Sequence, residues 1–200
     1  MSSRQIINDL LASEIIGKSM TLTTNLGYVI AHKERIVEPA LAGGALLDIG
    51  LYPLNLVLMV FGNDFDKITS TAILSEKVVD LQNSITLSYQ TGEMAILNST
   101  TLVLSDRQGI ISGDKGYMVI ENINNCERIR MFNTGRQEVK CVEVPKQITG
   151  YEYEVEAAIK AIQAGKLECE EMPHQETIRV MEIMDSLRKE WGVVYPGEEV

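Results

Sequence analysis

Hydrophobic spacing divides the chain into helical ends and an extended middle. Residues 4–12 carry isoleucine and leucine at helical spacing, and Gly17 soon follows, which predicts a short first helix. Residues 20–30 are rich in threonine, leucine, valine and tyrosine and are predicted to be extended. Two helices are predicted to close the chain, over residues 151–164 and 175–191, the second with an apolar stripe.

Period-two alternation with intervening turn residues predicts a run of strands between residues 67 and 144. The predicted strands cover residues 84–89, 94–104, 109–112, 117–120, 128–132 and 138–144. Glycine-containing turns separate several of them, which is typical of hairpins and of a largely antiparallel sheet. Helices grouped with such a sheet give an α+β fold class, here an open sheet with helices packed on one face. We expect residues 1–200 to form a single domain.

A strongly apolar helix is predicted between the first strand and this sheet. Residues 31–41 are polar and contain a proline, so they are predicted to form a loop. Two glycines then introduce a helix over residues 42–62. Pro53 lies inside this helix, and a kink or a break is expected there because proline has no N–H to donate.

Two polar side chains interrupt the apolar helix. Asp48 and Tyr52 are four residues apart, which places them on one helix face, one turn from each other. An unpaired polar group on a buried face costs about 1–3 kcal/mol, so their presence needs an explanation. The wall of an active site would supply one.

Composition and charge exclude several kinds of partner. The chain is 45% hydrophobic and 23% charged, which is ordinary for a folded globular protein. The net charge is −10, with no cluster of lysine and arginine, so binding to nucleic acid or to an anionic membrane is not expected. The apolar run over residues 45–61 is short for a bilayer span and contains Asp48 and Asn55, so no membrane segment is expected.

Cysteine and histidine placement argues against a metal site. Cys126, Cys141 and Cys169 are odd in number, far apart and in no metal-ligand spacing, which favours a reducing, cytoplasmic location. His32 and His174 are also far apart in sequence. No secretory leader is recognised at the N-terminus, and no metal is expected.

The sequence has no motif for holding a nucleotide. It contains no Gly-x-Gly-x-x-Gly turn, no Walker-type phosphate loop, no His-Glu-x-x-His and no nucleophile elbow. Candidate chemistry therefore depends on Asp48, Tyr52 and their neighbours.

Residues 35–52 read Arg-Ile-Val-Glu-Pro-Ala-Leu-Ala-Gly-Gly-Ala-Leu-Leu-Asp-Ile-Gly-Leu-Tyr. This segment closely resembles a signature of the glucose–fructose oxidoreductase and inositol dehydrogenase (Gfo/Idh/MocA) family. The branch it resembles most is that of the dihydrodiol dehydrogenases, in which tyrosine stands in place of the histidine of other branches. Residues 10–17, 151–166 and 176–196 are also similar to family segments, so the resemblance covers nearly the whole chain.

The resemblance implies the C-terminal, substrate-binding half of an NAD(P)-dependent oxidoreductase acting on the hydroxyl of a sugar, polyol or dihydrodiol. Family members begin with a nucleotide-binding Rossmann domain and a Glu-Lys-Pro segment, and this chain has neither. Glu76-Lys77-Val78 lacks the proline and lies between predicted strands. The resemblance therefore implies NAD or NADP in the complete enzyme. Neither cofactor is expected to bind this chain alone, and the chain alone is predicted to be inactive.

The resemblance also implies roles for individual residues. Tyr52 is the candidate proton relay, and a phenol with an ordinary pKa near ~10 needs a neighbouring cation for this, which the missing lysine would supply. Asp48 would orient the substrate hydroxyl or hold Tyr52. The structural alternatives are a core tyrosine with a satisfied hydroxyl and a carboxylate that accepts backbone N–H groups.

Five further residues are predicted to bind substrate, and each has a plain structural alternative. The candidates are Arg35, His32, Gly43, Gly44 and Asn55. The arginine would bind substrate oxygens, and the glycines would let backbone approach a ligand. The alternatives are an exposed loop arginine and a simple turn at the start of a helix. His174 is predicted to be a surface or capping residue.

Two other functions remain open. The domain could be a non-catalytic self-association module that pairs through its open sheet face, and a homo-oligomer is expected in either case. It could also bind a small ligand without redox chemistry. The choice between NAD and NADP and the identity of the substrate cannot be read from the chain, because the residues that read the ribose belong to the missing domain.

Overall fold

Residues 3–198 are described by the computed structural model, and they are arranged around one eight-stranded sheet. The strands are β1 (Ser19–Gly27), β2 (Phe65–Leu74), β3 (Asp80–Tyr89), β4 (Met94–Thr100), β5 (Gly109–Gly113), β6 (Gly116–Glu121), β7 (Arg128–Asn133) and β8 (Glu138–Glu143). The α-helices are α1 (Ser3–Ala12), α2 (Glu34–Val37), α3 (Leu51–Phe61), α4 (Tyr151–Gln163) and α5 (His174–Trp191).

The strand order is β2-β3-β4-β1-β5-β6-β7-β8, so two antiparallel meanders flank the first strand. β1 pairs in parallel with β4 and antiparallel with β5, and the other neighbouring pairs are antiparallel. Leu22 of β1 lies beside Ala95 on one side and Ile111 on the other, at the centre of the sheet. The predicted α+β fold with a largely antiparallel open sheet is confirmed.

One face of the sheet packs against α1, α3 and α5. Alternate residues of the strands point into this core, among them Leu22, Ile85, Leu87, Leu97, Ile111 and Met118. Leu10, Leu54 and Leu187 reach the same cluster, one from each of the three helices. The opposite face carries the intervening residues, which are rich in threonine, serine and asparagine, as expected for an antiparallel sheet covered on one side. α4 contributes no buried residue.

The predicted break at Pro53 is not found, because α3 continues through this residue, and the helix is instead irregular one turn earlier. Leu46–Gly50 forms a π-helical turn that leads directly into α3. Pro53 has no N–H for the carbonyl of Ile49, four residues earlier, and its ring crowds that carbonyl in a regular α-helix. A wider turn relieves both problems, and such turns are frequent at functional sites.

Three other details differ from the predictions. The predicted loop over residues 31–41 contains α2 and a 3-10 turn, Pro39–Leu41. β4 ends at Thr100, four residues before the predicted end, because the chain bends there. β2 is a strand that the alternation of residue types does not predict individually.

The segment Pro39–Phe61 is long and apolar enough, by length and composition alone, to cross a membrane, with a mean hydropathy of 1.8 over its most apolar stretch. Half of that stretch is buried inside the protein (50%), and the core helix of a soluble protein passes the same test. Leu54 and Val57 of this segment pack in the main core, which accounts for their apolar character.

Replacing Leu54 with alanine tests the importance of this packing. Leu54 is fully buried (0% exposed), so Leu54→Ala is expected to lower the free energy of unfolding by about 2–5 kcal/mol through lost contacts and a cavity. Leu167→Ala, at a residue that is 95% exposed, is the matched control and is expected to change stability by less than about 0.5 kcal/mol. Urea denaturation measures both. Equal losses for the two variants would contradict the assigned core.

Candidate active site

Asp48 and Tyr52 lie at the start of the helix that crosses the core face of the sheet. Asp48 belongs to the π-helical turn and Tyr52 to the first turn of α3. Tyr52 is 40% exposed, and the Asp48 side chain is 24% exposed. Both are therefore open to solvent, which disfavours the alternative that Tyr52 is a plain core tyrosine.

Arg35 is brought to Asp48 by the short helix α2. Its Nη1 donates a hydrogen bond to Oδ1 of Asp48 in an ion pair. The arginine side chain is 54% exposed, and an ion pair this open contributes only about 0–1 kcal/mol to stability. Its importance is geometric, because the guanidinium fixes the carboxylate and has further N–H groups that can bind an oxygen-rich ligand.

The surroundings of Tyr52 keep its phenol protonated. Burial raises the pKa of Tyr52 above its ordinary value of 10.0, and Tyr151, Asp48, Tyr28 and Glu154 raise it further. No cation is among these neighbours in the part of the chain that the structure describes. A proton relay at neutral pH therefore needs a positive group that these residues do not supply.

Two tyrosines next to Tyr52 have no counterpart among the residues that the sequence singled out. The Tyr28 hydroxyl donates to Oδ1 of Asn124 at 3.0 Å, and the Arg107 guanidinium lies 5.6 Å from the centre of its ring. Tyr151 is the first residue of α4. These residues are far from Tyr52 in sequence and belong to no local motif, so only the folded chain shows their proximity.

The remaining polar candidates have different surroundings. His32 is exposed in the turn after β1, and no hydrogen bond joins it to the described residues. Asn55 donates from Nδ2 to the carbonyl of Leu51 at 2.8 Å, one turn back along α3. Their contact with substrate stays a prediction. His174 begins α5 with a largely exposed ring, which agrees with the predicted surface role.

The glycine pair fits closely against other parts of the chain. A Cβ on Gly43 would lie 2.6 Å from the carbonyl oxygen of Ile36. A Cβ on Gly44, whose φ is +134°, would lie 2.3 Å from Oδ1 of Asp80. The structure therefore accounts for both glycines by a tight turn at the start of a helix, and their contact with substrate stays a prediction.

A buried carboxylate that the sequence did not single out holds this helix start. Oδ2 of Asp80 accepts the backbone N–H of Leu46 at 2.8 Å and Nδ2 of Asn83 at 2.8 Å. Burial raises the pKa of Asp80 to about 6, although the hydrogen bonds from Asn83 and Leu46 act in the opposite direction. No group of three or more histidine, cysteine, aspartate or glutamate residues suited to a metal ion occurs among residues 3–198.

Comparison with known proteins assigns the family. The sequence profile described as the GFO/IDH/MocA C-terminal domain matches residues 5–119, more than half of the chain. The chain belongs to the GFO/IDH/MocA family. The resemblance noted over residues 35–52 lies inside this match.

Two relatives illustrate the similarity. The trans-1,2-dihydrobenzene-1,2-diol dehydrogenase of Xenopus laevis is 32% identical over 197 residues, which cover 95% of this chain and 59% of the relative. The scyllo-inositol 2-dehydrogenase (NADP(+)) of Bacillus subtilis (strain 168) is 32% identical over 163 residues, covering 81% of this chain and 48% of the relative. The chain thus spans about half to three-fifths of the length of these relatives.

Comparison with solved structures supports the fold. An aldose-aldose oxidoreductase from Caulobacter crescentus, complexed with glycerol, superposes with a TM-score of 0.79 at 19% identity, covering 93% of this chain and 57% of that one. A 3-ketoreductase from Actinomadura kijaniata, in complex with NADP and TDP-benzene, gives a TM-score of 0.79 at 17% identity, covering 94% and 58%. At these identities the similarity shows a shared fold.

The raised pKa of Asp80 predicts how stability depends on pH. Because the folded protein holds this proton more tightly than the unfolded chain does, the stability it contributes is complete below the ordinary pKa of 3.8 and is lost as the pH rises through about 6. Between about pH 3.5 and about pH 7.5, the free energy of unfolding of the wild type is expected to fall by up to about 3 kcal/mol relative to that of Asp80→Asn. Urea denaturation across this range measures the difference. A difference that does not vary with pH would contradict the assignment.

Proposed function

We propose that this chain is the substrate-binding half of an NAD(P)-dependent oxidoreductase that acts on a hydroxyl of a sugar, polyol or dihydrodiol. The observation that carries the proposal is the placement of Asp48 and Tyr52 on one open helix face, with Arg35 bound to the carboxylate. Family membership and the activities named for the two relatives support it.

The described residues do not fit the nucleotide. A glycine turn at a helix start is where a phosphate would be cradled, and in this chain protein atoms fill the space beside that turn. One of them is the carboxylate of Asp80, which would repel a phosphate. The nucleotide is therefore assigned to a separate domain.

The chain's own residues handle the substrate hydroxyl and its proton. The guanidinium of Arg35 donates to substrate oxygens while it holds Asp48. A cation from the other domain would lower the pKa of Tyr52 so that the phenol ionises, and the phenolate then accepts the proton of the reacting substrate hydroxyl. Tyr28 and Tyr151 supply aromatic surface beside this point. The isolated chain is accordingly expected to show no turnover.

Joining the chain to a nucleotide-binding domain tests the proposal. A fusion to the nucleotide-binding part of the Bacillus subtilis relative is expected to oxidise at least one member of a panel of inositols, sugars and dihydrodiols. Tyr52→Phe should lower kcat by about 10²–10⁴-fold, the usual contribution of a positioned acid or base, with little change in KM.

Tyr117→Phe is the matched control, because Tyr117 stacks on Phe132 (ring centres 4.8 Å apart) on the face of the sheet opposite the site helix. Its kcat is expected to equal that of the unsubstituted fusion. Equal kcat for Tyr52→Phe would overturn the role of Tyr52. Turnover by the unfused chain would overturn the assignment of the nucleotide to another domain.

Self-association is the second candidate function, and the open sheet face favours it. Met94, Ile96 and Ile73 are exposed on this face by 42%, 38% and 58%. The neighbouring segment Leu102, Val103 and Leu104 is also exposed. Exposed apolar side chains on a sheet face are candidates for contact with a partner. A second copy of the chain fits because a two-fold interface needs only one self-complementary patch.

Sedimentation tests this second function. The chain is expected to be a dimer or larger at about 50 µM, a concentration at which interfaces of standard size are populated. Ile96→Lys places a charge at the centre of the face and is expected to give a monomer. Val155→Lys, on the exposed side of α4, is the control and should leave the assembly intact. A monomeric wild type would exclude self-association.

A further inference from the structure

The C-terminal segment reaches the start of the site helix. Tyr195 follows α5 and is buried (7% exposed), and its hydroxyl donates to the carbonyl of Gly43 at 2.6 Å. These residues are 152 positions apart in sequence. The bond is therefore a tertiary connection from the end of the chain to the glycine turn.

The position of Tyr195 is itself fixed. Arg188 of α5 lies 4.5 Å from the centre of the Tyr195 ring and donates to both carboxylate oxygens of Glu198, at 3.0 and 2.8 Å. Glu198 in turn accepts the backbone N–H of Tyr195 at 2.8 Å. Burial raises the pKa of Tyr195 to about 12, so its hydroxyl remains a donor at neutral pH. The segment is tied to α5 by charge-assisted bonds, which are the stronger kind.

Asp80 holds the same turn from the sheet. Its carboxylate accepts the N–H of Leu46, and Gly44 packs directly against its other oxygen. Asp80 is close enough to Tyr195 to raise the pKa of that phenol. Residues 43–46 are thus bound at their first carbonyl by one side chain and at their last N–H by another, and Asp48 follows two positions later.

Stability alone does not explain a buried carboxylate at this place. Taking a charge out of water costs several kcal/mol, and well-packed apolar residues often replace buried charges without loss. Asp80 lies in the core face of a strand, where an apolar residue would pack, and its bonds go to the turn that precedes Asp48 and Tyr52. What the carboxylate provides at this place is a fixed helix start.

We propose that Asp80 and Tyr195 are positioning residues that together clamp residues 43–46 and so set the places of Asp48 and Tyr52. The C-terminal segment around Tyr195 is by this proposal a support of the candidate active site. The roles of Asp48 and Tyr52 rest on the proposed function, whereas the clamp itself is a statement about geometry.

The chain offers a matched control for Tyr195 at the other end of the same helix. Tyr89 is equally buried (7% exposed), and its hydroxyl donates to the carbonyl of Gly62, just after α3, at 3.0 Å. Tyr195→Phe and Tyr89→Phe therefore each remove one hydroxyl–carbonyl bond from a similar environment. They differ in which end of the helix is released.

Amide hydrogen exchange and the NMR signal of the Tyr52 ring carbon are measured on both variants of the chain without substrate. Tyr52→Phe assigns the ring signal. Tyr195→Phe is expected to speed exchange over residues 44–48 about tenfold, because a buried carbonyl loses its donor, and to shift the Tyr52 signal. Tyr89→Phe should speed exchange near Gly62 and leave the Tyr52 signal unchanged. Unchanged exchange over residues 44–48 in Tyr195→Phe, or the same Tyr52 shift in both variants, would overturn the clamp.

Asp80 is tested by graded replacement. Asp80→Asn keeps an oxygen that can accept the Leu46 N–H and is expected to retain most of the wild-type protection over residues 44–48. Asp80→Ala removes the acceptor and is expected to lose this protection. If Asp80→Ala does not fold, the exchange rates over residues 44–48 in Asp80→Asn and Tyr195→Phe are compared. Asp80→Asn is expected to exchange more slowly than Tyr195→Phe, and exchange as fast as in Tyr195→Phe would contradict the prediction that its oxygen still holds the Leu46 N–H. Full protection in a folded Asp80→Ala would overturn the role of Asp80. None of these measurements uses substrate. The clamp can therefore be overturned while the proposed activity holds, and the proposed activity can be overturned while the clamp holds.

Discussion

The parallel pairing of β1 with β4 is the constraint on which the rest of the structure depends. Parallel neighbours cannot be joined by a hairpin, so the chain must leave the sheet after β1 and cross one of its faces. The crossing is made by α2, the π-helical turn and α3, and the chain then returns through β2 and β3. Arg35, Asp48 and Tyr52 all lie on this crossover, whose π-helical turn and α3 pack on the core face.

The two sides of the crossover face different surroundings. Its apolar side is used in packing, and its polar side presents a phenol and a carboxylate to solvent. Arg35 is paired with Asp48 there, Arg107 lies against the ring of Tyr28, and the neighbours of Tyr52 raise its pKa. The proposal that another domain supplies the cation and the nucleotide site accords with a chain that spans only part of its relatives' length.

Local patterns predicted the elements whose cues are local. β5 and β6 were predicted to within a residue or two because glycine turns bound strongly apolar strands. β2 was not predicted individually, since its inward face alternates Ile68 and Leu74 with the smaller Ser70 and Ala72 and gives a weak pattern. The spacing of Asp48 and Tyr52 predicted their shared face. Tyr28, Asp80 and Tyr195 could not be predicted, because each reaches the site only through tertiary contacts.

Buried polar groups are concentrated around the start of the site helix. Six polar or charged residues are buried among those described: Thr24, Asp80, Asn83, Ser99, Thr101 and Arg188. Asp80 accepts the N–H of Leu46 at the helix start, Asn83 donates to Asp80, and Arg188 lies against the ring of the tyrosine that reaches the turn. Ser99 packs beside Gly50, the last residue of the π-helical turn. Buried polar groups are costly, and by the clamp proposed above the cost of Asp80 is offset by a fixed position for the turn that precedes Asp48 and Tyr52.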